Sequence, residues 1–336
     1  MTPPGAELAA GTASVTGELD LESAGELEPV ARHEAIATFE CFGGHCTVIV
    51  ADRVPAADAA RSAVEDAKRR LLEWHEQFSR FRPDSELSRL NSDPAELVAV
   101  SPMMRRIIEA GVRAASATGG LVDPTLGTEI ERAGYASHLA ETGVALTAAL
   151  RAAPPRTVAG PSRTPRWAAI EVDRRAGSVR RPPGIKLDPG GIAKGVFADE
   201  LAGLLSSHEA FAVDCAGDIR LGGAAEISRE VDVASPFDDS VLHTFQIARG
   251  AVATSGIGKR SWVRDDGRPA HHLLDPRTGE PAYTGVVQVT ALAPTASEAE
   301  TLTKAAILSG PERAARWLTH GGVVVADDGS VSLIEP

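Results

Sequence analysis

The chain has 336 residues, of which 43% are hydrophobic and 24% are charged, a composition typical of a folded globular protein. The formal net charge of −12 argues against non-specific nucleic-acid binding, which depends on clustered lysines and arginines. No hydrophobic run approaches the length of a membrane span.

Residues 1–33 are predicted to form an acidic, disordered tail. The first 31 residues carry six acidic side chains and no lysine or arginine. They also lack the basic region and the hydrophobic stretch of a signal peptide. The three cysteines of the chain show no metal-binding spacing. We therefore expect a cytoplasmic protein, and the short loops of the remaining chain favour a single domain over residues 34–336.

Hydrophobic spacing and turn residues predict the elements of the first half. Ser101 and Pro102 form a typical helix start, and Gly119 with Gly120 forms a typical stop. The predicted elements are two strands within 36–51, helices over 55–78 and 102–117, a surface loop over 152–166, a strand over 167–172, and a helix that follows the Asp188 turn and ends near Leu205.

The second half is predicted to be rich in strands. Strands are expected over 211–215, 230–234, 244–248, 251–254, 286–292, 323–326 and 331–334, and helices over 296–309 and 311–319. Along the chain, several strands follow one another before the next group of helices, so strands and helices do not strictly alternate. This order favours an α+β fold with mostly antiparallel sheet over a doubly wound parallel sheet.

The segment from Leu187 to Asp199 reads L-D-P-G-G-I-A-K-G-V-F-A-D and combines a turn with a helix start. The first N–H groups of a helix lack partners within the helix, so anions bind there, and the Lys194 ammonium adds positive charge. The segment is not a Walker-type phosphate loop, because Gly195 and Val196 follow the lysine. It predicts an anion site, where the flanking carboxylates could also hold a metal ion or polar hydroxyls.

Five polar segments interrupt the hydrophobic pattern. They are 78–91, 122–127, 188–199, 214–220, and a fifth that joins 253–256, Arg260 and 271–279. Each has an ordinary explanation, because Asp-Pro-x-x-Gly sequences are common turns and Asp84-Ser85 can cap a short helix. All five in this order are much harder to explain as turns.

In order and content, the five segments resemble the motifs of the ApbE-type FAD:protein FMN transferases. That pattern reads S-R-Y/F-x-P-D-S-E-x-S-x-L-N, F-D-P-T-x-G, L-D-x-G-A/G-I-A-K-G, G-G-D-I/L, T-S-G and H-x-I/L-D-P-R/K/Q-T-G, and it covers about residues 36–310. Residues 42–44 read F-G-G where the family usually has M-G-T. The resemblance implies an ApbE-type α+β domain that cleaves FAD with the help of Mg²⁺. FMN would be linked by a phosphoester to a Thr or Ser of a target flavoprotein, and AMP would leave.

The resemblance also implies a set of site residues. It places the flavin against Phe42 and Phe81, whose rings can stack on the isoalloxazine. His272 corresponds to a histidine at the reacting centre that could relay a proton at neutral pH, although a strand histidine bonded to a carbonyl is the alternative. His271 is expected to point to the opposite face. The further FAD-binding residues implied are Leu121, Val122, Asp123, Asp188, Lys194 and His272 itself.

The sequence departs from the family pattern at the metal site. The family usually binds Mg²⁺ through an Asp, a Thr four residues later and a backbone carbonyl. Gly310 matches the glycine that follows this Asp and Thr in the family pattern, so it fixes which residues of this chain take their positions. Here Glu300 and Lys304 take the side-chain positions, and Gly191 would supply the carbonyl. Lysine does not ligate Mg²⁺. Its ammonium either replaces the ion, pairing with Glu300 and a phosphate, or forms an ordinary i,i+4 pair on the helix surface.

Three functions remain open from the sequence. The leading one is an FAD:protein FMN transferase. The second is an FAD-binding protein without transferase activity, which Lys304 favours. The third is an FAD pyrophosphatase that releases FMN and AMP.

Overall fold

The computed structural model describes residues 13–15, 32–135 and 144–336. The helices are α1 (Ala57–Phe78), α2 (Glu86–Ser92), α3 (Pro102–Ala117), α4 (Gly127–Arg132), α5 (Leu146–Arg151), α6 (Ala193–Leu205), α7 (Ala296–Ser309) and α8 (Pro311–Ala314). The strands are β1 (Ala13–Val15), β2 (Arg32–Cys41), β3 (Gly44–Arg53), β4 (Leu97–Ala99), β5 (Glu171–Asp173), β6 (Ser178–Arg180), β7 (Ala210–Cys215), β8 (Asp218–Gly222), β9 (Arg229–Ala234), β10 (Val241–Ile247), β11 (Gly250–Gly256), β12 (Ser261–Val263), β13 (Pro269–His271), β14 (Leu274–Asp275), β15 (Glu280–Pro281), β16 (Val286–Ala293), β17 (Gly322–Ala326) and β18 (Val331–Ile334).

The central sheet has eight strands in the order β18-β17-β16-β11-β8-β7-β3-β2. Every neighbouring pair in it is antiparallel. The smaller sheets β1-β9-β10 and β4-β6-β5 and the pairs β12-β13 and β14-β15 are antiparallel as well. The predicted α+β fold with mostly antiparallel sheet is therefore confirmed.

The two faces of the central sheet bury different neighbours. Side chains alternate along a strand, so Val48 and Val50 of β3 face the core formed with α1, α3, α6 and α7. Ile49 lies between them and faces the opposite side, where Val231 of β9 covers it. The central sheet thus lies between a layer of helices and a smaller sheet.

Helix starts and stops follow the sequence signals closely. The Ser101 hydroxyl accepts a hydrogen bond from the Met104 N–H at 3.2 Å, and α3 begins at Pro102. Thr295 caps α7 by accepting from the Glu298 N–H at 3.3 Å. Gly310 ends α7 with a φ of 75°, in the region that favours glycine. These hydrogen bonds satisfy backbone donors that the helix itself leaves unpaired.

Three predicted elements differ in the structure. Residues 166–169 form a 3₁₀ turn, so the strand predicted over 167–172 shortens to β5. The last helix ends at Ala314 and continues as a 3₁₀ turn, instead of reaching residue 319. The predicted surface loop at 152–166 is partly buried, because Ala159 and Gly160 donate backbone hydrogen bonds to Leu308 and Asp275.

The predicted tail, residues 1–33, lies largely outside the described residues. Ala13–Val15 form β1, which pairs with β9, and β2 begins at Arg32, two residues before the predicted domain boundary. Within the ranges that the structure describes, no helix is long and hydrophobic enough to cross a membrane.

Candidate active site

One cavity collects the predicted site residues from separate parts of the chain. Its lining extends from Phe42 in the first hairpin to Leu308 in α7. All the predicted FAD-binding residues line it, namely Phe42, Phe81, Leu121, Val122, Asp123, Asp188, Lys194 and His272. Gly191 and Lys304 of the predicted metal site also line it, whereas Glu300 is fully buried behind Lys304.

Phe42 is positioned by the tight hairpin between β2 and β3. Phe42 and Gly43 have φ values of 55° and 72°, as in the two-residue turns that match the twist of paired strands. The Phe42 ring stacks on Phe197 of α6 at 5.3 Å, and Phe197 stacks on Trp74 of α1 at 5.2 Å. A hairpin and two helices thus build one aromatic wall of the cavity.

A second aromatic wall surrounds Phe81. Its ring meets Tyr135 edge-on at 5.2 Å, and Tyr135 stacks on Trp262 at 5.3 Å. The Arg80 guanidinium lies 4.3 Å from the Phe81 ring centre and 4.5 Å from that of Tyr135. Arg80 Nε also lies 3.3 Å from an Asp188 carboxylate oxygen. This wall therefore combines flat rings with a cation.

The turn before α6 is held rigidly in place. Asn91 bonds both backbone groups of Leu187 at 2.8 Å. The Asp188 carboxylate accepts from the Gly190 N–H at 2.9 Å and so caps a 3₁₀ turn over Pro189–Gly191. The α6 helix starts directly afterwards, and Lys194 in its first turn lines the cavity. The sequence-predicted anion site therefore faces the cavity.

Two buried ion pairs lie beside this turn. Lys194 pairs with Asp218 of β8, and the Lys304 ammonium lies 3.1 Å from a Glu300 carboxylate oxygen. The other Glu300 oxygen accepts from the Gly195 N–H at 3.0 Å. Burying charges is costly unless they are paired, and each of these charges has a partner of opposite sign.

The pairing shifts the pKa of each group. Burial, and then the Glu300 carboxylate, raises the pKa of Asp218 to about 6. Burial lowers the pKa of Lys194, but Asp218 and Glu300 outweigh it and leave that pKa raised. Burial would raise the pKa of Glu300, yet the Lys304 and Lys194 ammoniums hold it below its usual value. Burial lowers the pKa of Lys304, and the neighbouring carboxylates offset only part of that effect.

The residues at the predicted metal site do not fit Mg²⁺. The Lys304 chain runs against Gly191, where an added Cβ would lie 3.1 Å from Lys304 Cε. The Lys304 ammonium therefore occupies the space beside Glu300 that a metal ion would need, and lysine does not ligate Mg²⁺. The described part of the chain contains no group of three or more His, Cys, Asp or Glu that could hold a metal ion. Lys304 is only 8% exposed, so the surface-pair alternative is wrong.

His272 follows β13 and lines the cavity, but its pKa is lower than that of an ordinary histidine. Burial, with the positive charge of Arg260 and the neighbouring His271, lowers its pKa well below 6.5. Its Nδ1 is buried with no hydrogen-bond partner among the residues described here. The ring is therefore neutral at pH 7. His271 faces the other way, against the Tyr283 ring at 4.8 Å.

Asp123 contributes a carboxylate that is only partly satisfied. One oxygen accepts from the Thr125 N–H at 2.8 Å and from its hydroxyl at 2.6 Å. The other oxygen is buried and has no partner within the described ranges. Burial raises the pKa of Asp123. Its free oxygen could accept a hydrogen bond from a ligand N–H or hydroxyl.

Sequence reasoning missed several residues that line the cavity. Arg80 and Arg260 stand inside the quoted motifs and could have been singled out as cations beside an anion site. Trp74, Tyr135 and Phe197 lie outside the assigned set, although they also line the cavity. Trp74 and Phe197 have the helical spacing of core residues, and no sequence signal distinguishes a core residue from one that contacts a ligand.

The fold and the site together define a class of protein, an antiparallel α+β domain with an aromatic and cationic cavity. Within that class, the chain belongs to the ApbE family, whose sequence model matches residues 42–326.

Named relatives and solved structures agree with this assignment. The chain is 30% identical over 300 residues to the FAD:protein FMN transferase of Treponema pallidum, covering 82% of this chain and 79% of the relative. It is 29% identical to that of Vibrio cholerae, covering 77% of each chain. An ApbE crystal structure from Thermotoga maritima superposes with a TM-score of 0.71 at 25% identity, over 90% of this chain and 97% of the other.

Proposed function

We propose that the chain is an FAD:protein FMN transferase. It cleaves the FAD pyrophosphate and links FMN through a phosphoester to a Thr or Ser of a target flavoprotein, releasing AMP. The convergence of two aromatic walls, two lysines and a neutral histidine on one cavity carries this proposal. The relatives named as FAD:protein FMN transferases support it.

The aromatic rings and the cations of the cavity suit the two parts of FAD. Phe42 and Phe81 line the cavity, and an isoalloxazine can stack on aromatic rings of this kind. Lys194, Arg80 and the start of α6 supply positive charge to the pyrophosphate. Asp123 is placed to accept from a flavin or ribityl donor.

The chemical step needs positioning and charge neutralisation more than covalent chemistry. The acceptor hydroxyl oxygen bonds to the FMN phosphorus, the bond to the bridging oxygen breaks, and AMP leaves with that oxygen. His272, neutral at pH 7, takes the proton of the hydroxyl. The cations stay protonated throughout and neutralise the charge that develops on the phosphate oxygens. We derive no step through Mg²⁺, because the residues do not fit it.

Localisation rests on the cysteines. Cys41, Cys46 and Cys215 are buried as free thiols. Because free thiols persist in reducing compartments, this supports the cytoplasm as the place where the protein works.

A labelling assay tests the function. The purified full chain is incubated with FAD and a flavoprotein domain that one of the relatives modifies, and the acceptor is analysed by intact mass. We expect the acceptor to gain one FMN and AMP to appear in equal amount, with no gain when the target Thr is replaced by Val. FMN and AMP without labelling would identify a pyrophosphatase, and FAD binding without products would identify a binding protein.

A further inference from the structure

The Lys304 ammonium is enclosed by oxygen atoms beside the turn at Gly191, in the lining of the cavity. Its Nζ lies 3.1 Å from a Glu300 carboxylate oxygen, 3.3 Å from the Ser255 hydroxyl and 3.4 Å from the Glu300 carbonyl. Hard cations such as Mg²⁺ prefer surroundings of this kind, with carboxylate, hydroxyl and carbonyl oxygens. Here a side chain of the protein itself supplies the cation.

The ammonium also lies beside the anion-binding turn. The Lys304 chain contacts Gly191, and both residues line the cavity together with Lys194. Glu300 connects the Lys304 ammonium with the positive start of α6, because one of its carboxylate oxygens binds Lys304 and the other accepts from the Gly195 N–H. Lysine and helix terminus are therefore held in fixed relation to each other.

The charges around this position leave no room for a second cation. Glu300 is fully buried and both of its oxygens are engaged, while Asp218 pairs with Lys194. A divalent ion placed beside Glu300 would lie next to an ammonium, and like charges at such distances repel strongly where little water screens them.

We propose that Lys304 replaces a divalent cation in this protein: its ammonium binds the FAD pyrophosphate directly, so that FAD binding and FMN transfer do not depend on Mg²⁺. The proposal rests on the transferase function proposed above. No covalent bond to Lys304 forms, and its protons stay in place. The new bond joins the acceptor oxygen to the FMN phosphorus, and AMP leaves with the bridging oxygen.

The first experiment compares the wild-type chain in excess EDTA with the same chain in Mg²⁺. FAD affinity is measured by quenching of flavin fluorescence, and transfer by intact mass of the acceptor. We expect the same dissociation constant and the same transfer rate in both conditions. A requirement for Mg²⁺ in FAD binding or in transfer overturns the proposal and leaves the transferase function intact.

Variants of the same residue give the second test. Lys304→Met removes a charge-assisted contact to the pyrophosphate and should weaken FAD binding about tenfold or more. Lys304→Met alone leaves the buried Glu300 charge uncompensated. The double variant Lys304→Met/Glu300→Gln is therefore made in parallel, and circular dichroism checks that it is folded. Lys186→Met is the matched control, since Lys186 is half-exposed, lies outside the cavity and pairs with Glu131. Unchanged FAD affinity in the folded double variant contradicts the proposal.

Lys304→Thr gives the sharpest prediction. It removes the ammonium and leaves Glu300 and Ser255 around an open space, so Mg²⁺ should now bind there. We expect Mg²⁺ to raise the melting temperature of this variant and to restore its FAD affinity. In the wild type, Mg²⁺ should change neither quantity. A wild-type chain that binds FAD in EDTA yet transfers nothing in either condition would refute the transferase function alone.

Discussion

His272 shows how the environment of a single residue sets its chemistry. An isolated histidine changes charge near pH 6.5, but this ring lies among Arg260, Lys304 and hydrophobic neighbours. Adding a proton there would place a positive charge beside two others. The ring is therefore neutral at pH 7, and an anionic ligand in the cavity would offset the positive charges and strengthen the ring as a base.

We expect His272→Asn to retain FAD binding and to lose transfer by about 10²- to 10⁴-fold, the usual contribution of a general base. In the wild type, the lowered pKa keeps the ring neutral, so transfer should stay constant between pH 7.5 and 6. A histidine of ordinary pKa would instead lose about fourfold in neutral form over that range. Transfer rates at saturating FAD, measured across this range, check the expectation.

The control for this pH profile is Asp218→Asn, because the pKa of Asp218 is itself raised to about 6. If the transfer rate falls near pH 6 in the wild type but not in Asp218→Asn, the group that titrates is Asp218. A fall that persists in Asp218→Asn would contradict the assignment of a strongly lowered pKa to His272.

The sequence predicts the motif residues of the site better than their environments. Asp188 and Lys194 could be assigned from turn and helix-start chemistry before any fold was known. Lys304 could not, because glutamate and lysine four residues apart on a helix have the same pattern whether the pair is exposed or buried. Tyr135 could not either, since its place beside Phe81 depends on a tertiary contact.

Among the secondary-structure elements, the close crossing of α6 and α7 positions the site. Gly195 allows it, because a Cβ there would lie 2.7 Å from the backbone of Ala296 and of Ser297. The same approach brings the Gly195 N–H to Glu300. These two helices were predictable from the turn at Asp188 and from the stop at Gly310, whereas the strands β12 to β15, of two or three residues each, are too short to show a period.

We expect Gly195→Ala to lower the free energy of unfolding by about 1–3 kcal/mol, because the added methyl group forces the two helices apart. FAD affinity should fall with it, since the hydrogen bond to Glu300 is displaced. Urea unfolding followed by circular dichroism measures the first effect and flavin fluorescence the second.

Gly203→Ala is the matched control in the same helix. A Cβ at Gly203 meets nothing within 4 Å, so this change should raise stability by about 0.5–1 kcal/mol through helix propensity. If Gly195→Ala proved as stable as Gly203→Ala, the two helices would not be held together at this crossing.

At the scale of the whole molecule, the cavity joins residues that are far apart in sequence. Phe42 comes from the first hairpin, Asp123 follows α3, and His272 and Lys304 come from the last quarter of the chain. A ligand that contacts all of these segments can bind only when they are folded together. We therefore expect FAD binding to be linked to the folding of residues 34–336 as one unit, the single domain that the sequence predicts.

We expect FAD at about 100 times its dissociation constant to stabilise the chain by about 2.7 kcal/mol and to raise the melting temperature by about 4 °C. Riboflavin lacks the pyrophosphate and should give a smaller shift at the same concentration, because it leaves Lys194 and Lys304 without a partner phosphate. Calorimetry should show one transition that moves as a whole. Two transitions, of which FAD moves only one, would mean that the segments lining the cavity do not fold as a single domain.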